Sequence, residues 1–148
     1  MKSIGPIKVV NAILCDDVRD EANSKKSILI GVYSGDIRLG APPPAYVMLA
    51  VYLEFLVPRG FHEMALRISG PGPDSDTLKA RLDQEESGAA KLTTPKMTLE
   101  FSREGVFRID AKVGDSKWVN LIKKRVYYDP SIAPQQLSEQ SRDDAQGS

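Results

Sequence analysis

Between Tyr46 and Val57 the chain reads YVMLAVYLEFLV. In an extended segment successive side chains point to opposite sides. One side then carries Val47, Leu49, Val51, Leu53, Phe55 and Val57, and nothing polar. The other carries Tyr46, Met48, Ala50, Tyr52, Glu54 and Leu56, which is amphipathic but still rich in apolar area. A run of this kind predicts a central strand whose aliphatic face closes a sheet-packed core and whose second face needs some cover. It is too short to cross a bilayer as a helix, which takes about 20 apolar residues, and Glu54 interrupts it.

The rest of the chain alternates in the same way. Residues 7–14, 27–33, 61–69, 77–83, 96–101 and 106–113 alternate largely in this way, and about 117–128 carries Trp118, Val119, Leu121, Ile122, Val126 and Tyr127. Polar or Gly/Pro punctuation separates them: Asp16–Asn23, Ser34-Gly35-Asp36, Pro42-Pro43-Pro44, Pro58-Arg59-Gly60 and Gly70–Asp74. Ile37–Leu39 reads as a short continuation beyond the Ser34–Asp36 turn. Short strands without a long 3.6-residue period predict an all-β fold, an antiparallel β-sandwich of immunoglobulin-like form, with a small β-barrel as the alternative. A meander is expected from Met97 through Val113 and the Gly114-Asp115 turn to Tyr127. Residues 1–130 read as one domain. Residues 131–148, rich in Pro, Gln, Ser and Asp, read as a disordered tail.

A chain of 148 residues buries roughly 68–70% of its unfolded surface, so the core needs no covalent staple. Cys15 is the lone cysteine, which excludes an internal disulfide and fits a reducing compartment. The N-terminal MKSIGPIKVV lacks the apolar run of a secretory signal. A bacterial or viral cytoplasmic protein is expected, with no membrane partner. Basic and acidic residues balance at 20 each, with a pI near 6.6. That balance argues against nucleic acid, whose binders usually carry a basic excess or stripe.

Few residues offer chemistry. Asp16 and Asp17, with Asp20 and Glu21 nearby, could share a proton or hold a hard cation. Their spacing fits no EF-hand loop, and a polar turn after the first strand is the plainer expectation. Cys15 and His62 are each unique in the chain. A thiolate would need a nearby base, yet the adjoining aspartates push a thiol pKa upward, so Cys15 is expected to pack as a small hydrophobe. His62 falls in register with Met64, Leu66 and Ile68, as a partly buried structural residue would. Cys and His are too few for a zinc site, and no metal or cofactor is expected. Gly70-Pro71-Gly72 lacks the Lys-Ser/Thr ending of a phosphate loop. Lys123-Lys124-Arg125 alternates faces on a strand and forms no patch by itself.

What remains is surface. Tyr46, Met48 and Tyr52 line the second face of the 46–57 strand, and Trp118 adds an aromatic anchor. An uncovered apolar strip marks a binding or oligomer interface. Cover by the 70–95 connection or by the tail is the structural alternative. The expected function is therefore a non-enzymatic binding or assembly module, with a protein partner or a second copy of the chain. Two alternatives stand beside it. One is a small-molecule or carbohydrate site joining Trp118 to the acids at 16–21. The other is an enzyme using Cys15 or the Asp16/Asp17 carboxylates.

Asn11, Ala12, Leu14, Cys15, Asp16 and Val18, then Gly31, Val32 and Tyr33, give the first 40 or so residues a distinct pattern. It resembles an uncharacterised family of small bacterial proteins known only as a domain of unknown function. That resemblance implies a small β-sheet protein and carries no activity or catalytic residue with it. Separately, Glu104–Ile109 followed by Gly114-Asp115 is similar to the closing hairpin of immunoglobulin-like sandwiches, a likeness that implies a fold and no function.

Overall fold

The computed structural model describes residues 1–74 and 77–132. Of the tail expected over 131–148, residues 133–148 lie outside the described residues. The fold is all-β, with strands packed as two sheets. In the first sheet, β1 (Ser3–Ile4), β2 (Ile7–Asp20) and β3 (Ser27–Val32) precede the long β5 (Ala45–Val57), and β8 (Gly88–Thr93) and β9 (Met97–Phe101) complete it. The second sheet contains β4 (Ile37–Leu39), β6 (Gly60–Ser69), β7 (Leu78–Gln84), β10 (Gly105–Val113) and β11 (Val119–Tyr128), in the order β4-β11-β10-β6-β7. Among the described residues all strand pairings are antiparallel except β4 with β11.

The core forms as the alternation requires. Leu49, Leu53 and Phe55 have no accessible surface, and Val47, Val51 and Val57 have almost none. Opposite them lie Met64, Phe107, Ile109 and Ala111 of the second sheet, all buried. Phe101 and Phe107 meet edge to face, with centroids 5.9 Å apart and planes at 77°, the favourable geometry for aromatic quadrupoles. A β5 stripe fully removed from water is worth about 1.5–3 kcal/mol per large side chain.

β5 is central because both of its edges are used along most of its length. β2 lies on one edge, from Lys8↔Leu56 to Cys15↔Ala50. The other edge is shared, with β9 along Ala45–Leu49 and β8 along Tyr52–Val57. β8, within GAAKLT, carries no strand signal of its own. It forms because β5 offers an open ladder there, and Ala90 and Leu92 pack against the core.

Three expectations about connectivity are corrected. The meander does not run through 97–127 in one sheet: β9 pairs with β5, whereas β10 pairs with β11 and β6, so the chain changes sheets between Phe101 and Gly105. Residues inward-facing on both strands, Phe101 and Phe107, hold that crossing together across the core. Residues 37–39 do not continue the strand before them, because β4 crosses to pair with β11. The polar cluster after residue 15 is no turn. β2 continues through Asp16–Asp20, paired with β3 from Cys15↔Val32 to Asp20↔Ser27. Its turn lies beyond, where Asn23 and Lys25 take positive φ, and asparagine tolerates that conformation better than most residues.

Candidate functional site

The second face of β5 is covered in part, by the β2–β3 hairpin together with Lys91 of the 70–95 connection, while residues 133–148 of the tail lie outside the described residues. β2 leaves β5 after Cys15 but stays paired with β3, so the β2–β3 hairpin runs on as a two-stranded ribbon. β8 lies on the far edge of β5, yet its Lys91 ammonium reaches the end of that ribbon. It donates to Asp20 Oδ1 (3.3 Å), the Lys25 carbonyl (3.3 Å) and Ser27 Oγ (2.6 Å). The ribbon therefore leans across β5. Cys15 and Ala50, paired on the face away from the main core, have no accessible surface.

Burial fixes the state of Cys15. Its thiol donates to the Asp17 carbonyl at 3.4 Å and the Ala50 carbonyl at 3.6 Å. Burial pushes the thiol pKa up first, and the Asp16 and Asp17 charges add to that. A thiol so held is a poor nucleophile. His62 is not brought to it: His62 sits on β6 in the second sheet, with Nε2 3.0 Å from the Pro58 carbonyl.

The interface candidates on β5 do not form one strip. Tyr46 is 56% exposed, and its phenol pKa is pushed up by a hydrogen bond to Glu100 and by that carboxylate's charge. Met48 and Tyr52 are half-buried. The Tyr52 phenol is pushed up by burial first and then by Glu54, whose Oε2 lies 3.5 Å from its hydroxyl. Ala50, wholly buried, interrupts the row.

The acids are dispersed along the ribbon. Asp16 and Asp17 are adjacent strand residues and so point to opposite faces. Asp17 accepts from Arg19 Nε at 3.0 Å, the main reason its carboxyl lies below the usual range. Asp20 takes Lys91, and Glu21 lies 3.8 Å from Lys26. Asp16 packs against Gly31, where φ is +66° and any Cβ would collide with the carboxylate. Among the described residues no group of three or more His, Cys, Asp or Glu is placed to hold a metal ion.

Trp118, just before β11, belongs to the other sheet. Arg67 Cζ stands 4.2 Å over its ring and Lys112 Nζ 5.2 Å. A cleft of about 400 Å³ beside it is lined by Glu63, Thr77, Lys79 and Asp115 among others. A separate cleft of about 530 Å³ is lined by Asp20, Glu21, Asn23, Lys25 and Lys91. The two clefts share no residue.

The feature that sequence reasoning missed is the ribbon's outer strand. β3 pairs only with β2 among the described residues, and Ile28, Ile30 and Val32 on one of its faces are 45%, 42% and 51% exposed. The available signal was the uncharged run from Ser27 to Tyr33. Read as one more strand, that run hid the fact that its strand is an edge. Among the described residues no helix is long and apolar enough to cross a membrane. Neither a family model nor a curated protein matches this chain.

Proposed function

We propose that this protein is a non-enzymatic assembly module that acts through a sheet edge, with β3 as the edge and a second copy of the chain as partner. The observation that carries the reading is the exposure of Ile28, Ile30 and Val32 on a strand that pairs along one edge only among the described residues. Such strands are templates for pairing, and proteins that stay monomeric usually blunt them with charge, proline or cover. Neither charge nor proline occurs between Ser27 and Val32. Two copies related by a two-fold axis would set β3 against β3, satisfying backbone groups and bringing the two aliphatic rows side by side into one patch. The lone buried thiol fits work in a reducing, cytoplasmic setting.

Sedimentation velocity across the micromolar range tests the reading. The wild-type chain is expected to dimerise, and Ile30→Lys, which places a charge in the middle of the row, is expected to leave a folded monomer. A wild-type chain that stays monomeric throughout overturns it.

A further inference from the structure

The chain's charges balance, but its surfaces do not share them evenly. Phe107, Ile109, Ala111 and Val113 of β10 point into the core, so Arg108 and Lys112 point outward. Register places Lys123 and Arg125 of β11 beside them, opposite Arg108 and Val106. Arg67 of β6, paired with Asp110, joins the same outer face, and β7 adds Lys79 and Arg81. The acids that these strands set among them are Glu63, Asp83 and Asp110. Asp110 is buried, 3.7 Å from Arg67 and 3.8 Å from Arg108. Lys124 turns the other way, donating to the Tyr33 carbonyl at 3.2 Å.

Aromatic rings are interleaved with these cations. Arg67 covers Trp118 at 4.2 Å, Arg125 covers Tyr127 at 4.2 Å, and Arg81 lies 5.5 Å from the Phe61 ring. Phe61 is 56% exposed.

We propose that the outer face of the second sheet binds single-stranded nucleic acid. Phosphates would sit on the Arg108, Lys123 and Arg125 side, and bases would stack on the rings and on the guanidinium planes beside them. Charge complementarity supplies the attraction, and net neutrality of the chain does not oppose it, because a backbone phosphate senses charge within about a Debye length. The rings decide the class of polyanion. Unpaired bases have free faces to stack on aromatics and on arginine planes. A duplex hides those faces, and its major groove admits a helix or a two-stranded ribbon rather than the face of a broad sheet. An acidic peptide would use the cations and leave the rings without a role.

The probes are labelled oligo-dT and oligo-U of about 16 nucleotides, the upper end of site sizes on comparable sheet surfaces. At physiological salt, binding is expected near ~10⁻⁵ M, in the range of non-specific nucleic-acid affinity, and tighter at lower salt. Fluorescence of Trp118, the chain's only tryptophan, is expected to be quenched on binding. Pairing Arg108→Glu with Lys123→Glu should weaken binding more than tenfold. It should also flatten the salt dependence, by about 0.7 in log–log slope for each phosphate left unneutralised. Trp118→Leu should weaken binding and leave that slope unchanged. The proposal is overturned by absence of binding to either oligonucleotide. It is equally overturned by a duplex or a poly-glutamate peptide binding as tightly, or by binding that leaves Trp118 emission unchanged. The wild-type readouts need no variant to fold.

Discussion

Asp110 and Asn120 face each other across the β10–β11 ladder, with Asn120 Nδ2 donating to Asp110 Oδ1 at 3.0 Å. The pair sits at the register shift after Ile109, where Asn120 also donates to the Ile122 carbonyl at 3.0 Å. One amide thus stitches the irregular ladder and satisfies a carboxylate that is only 6% exposed. Arg67 connects this point to Trp118, since it approaches Asp110 and lies over the indole.

Asp110→Ala is therefore expected to lower stability by about 1–3 kcal/mol, the usual cost of stranding hydrogen-bond partners in a part-buried site. Asp110→Asn should cost less, because it keeps an acceptor toward Asn120. Urea denaturation of both variants checks the order. Equal losses would mean that the charge, and not the acceptor, is what the site requires.

Gly31 gives a second expectation. Its φ of +66° is in the left-handed region, and the carboxylate of Asp16 occupies the place of its missing Cβ. Gly31→Ala should therefore destabilise the chain by about 1–3 kcal/mol, from strain and collision together. Adding Asp16→Ala removes the carboxylate clash but leaves the residue-16 Cβ close by and the strain in place, so the double variant should recover part of the loss. Non-additivity in this cycle, read by thermal or urea unfolding, measures the contact. Strict additivity would place the whole cost in the backbone.

The main core was legible in the sequence because alternation is a local property. The aliphatic row of β5 and the facing Phe107, Ile109 and Ala111 could be assigned to the interior from spacing alone. Partnership was less legible. β9 and β10 are sequence neighbours in different sheets, and β8 is a strand only because β5 leaves an edge open beside it. The surfaces were hardest to read for the same reason. Arg67, Arg108 and Lys123 come together through register between strands distant in sequence, and Ile28, Ile30 and Val32 lie exposed on a strand beyond which nothing among the described residues pairs. Tyr46, Met48 and Tyr52 share one face of β5, and the buried Ala50 under the ribbon divides them.

Acid should act through two carboxylates. The carboxyls of Asp17, chiefly through Arg19, and of Asp129, chiefly through Ser131, are held below the usual range. Both are thus charged in the fold at pH values where the unfolded chain has begun to protonate them. Their stabilisation is present above the unfolded carboxylate value of about 4 and is lost as pH falls through the folded values. Asp17→Asn with Asp129→Asn should flatten the acid limb of a melting-temperature profile between about pH 5 and pH 2. An unchanged limb would move the acid sensitivity to other carboxylates. Arg19→Ala alone should return Asp17 toward the ordinary value in an NMR titration.

Cys15 reports on the ribbon above it. With no accessible surface, its thiol should react with a disulfide reagent only when the hairpin lifts or the whole chain unfolds. Lys91 ties the hairpin end to β8 through Asp20, Lys25 and Ser27. Lys91→Met should release that tie, speeding labelling several-fold while lowering the urea midpoint little, since local opening and global unfolding are separate equilibria. If labelling and midpoint change in proportion, Cys15 is reached only by global unfolding and the ribbon is part of the core. The raised thiol pKa adds an alkaline signature. A group with a higher folded pKa stabilises fully below its unfolded value, and that contribution disappears as pH rises through the folded one. Wild type should thus lose stability above about pH 9, and Cys15→Ala should lose less over the same interval.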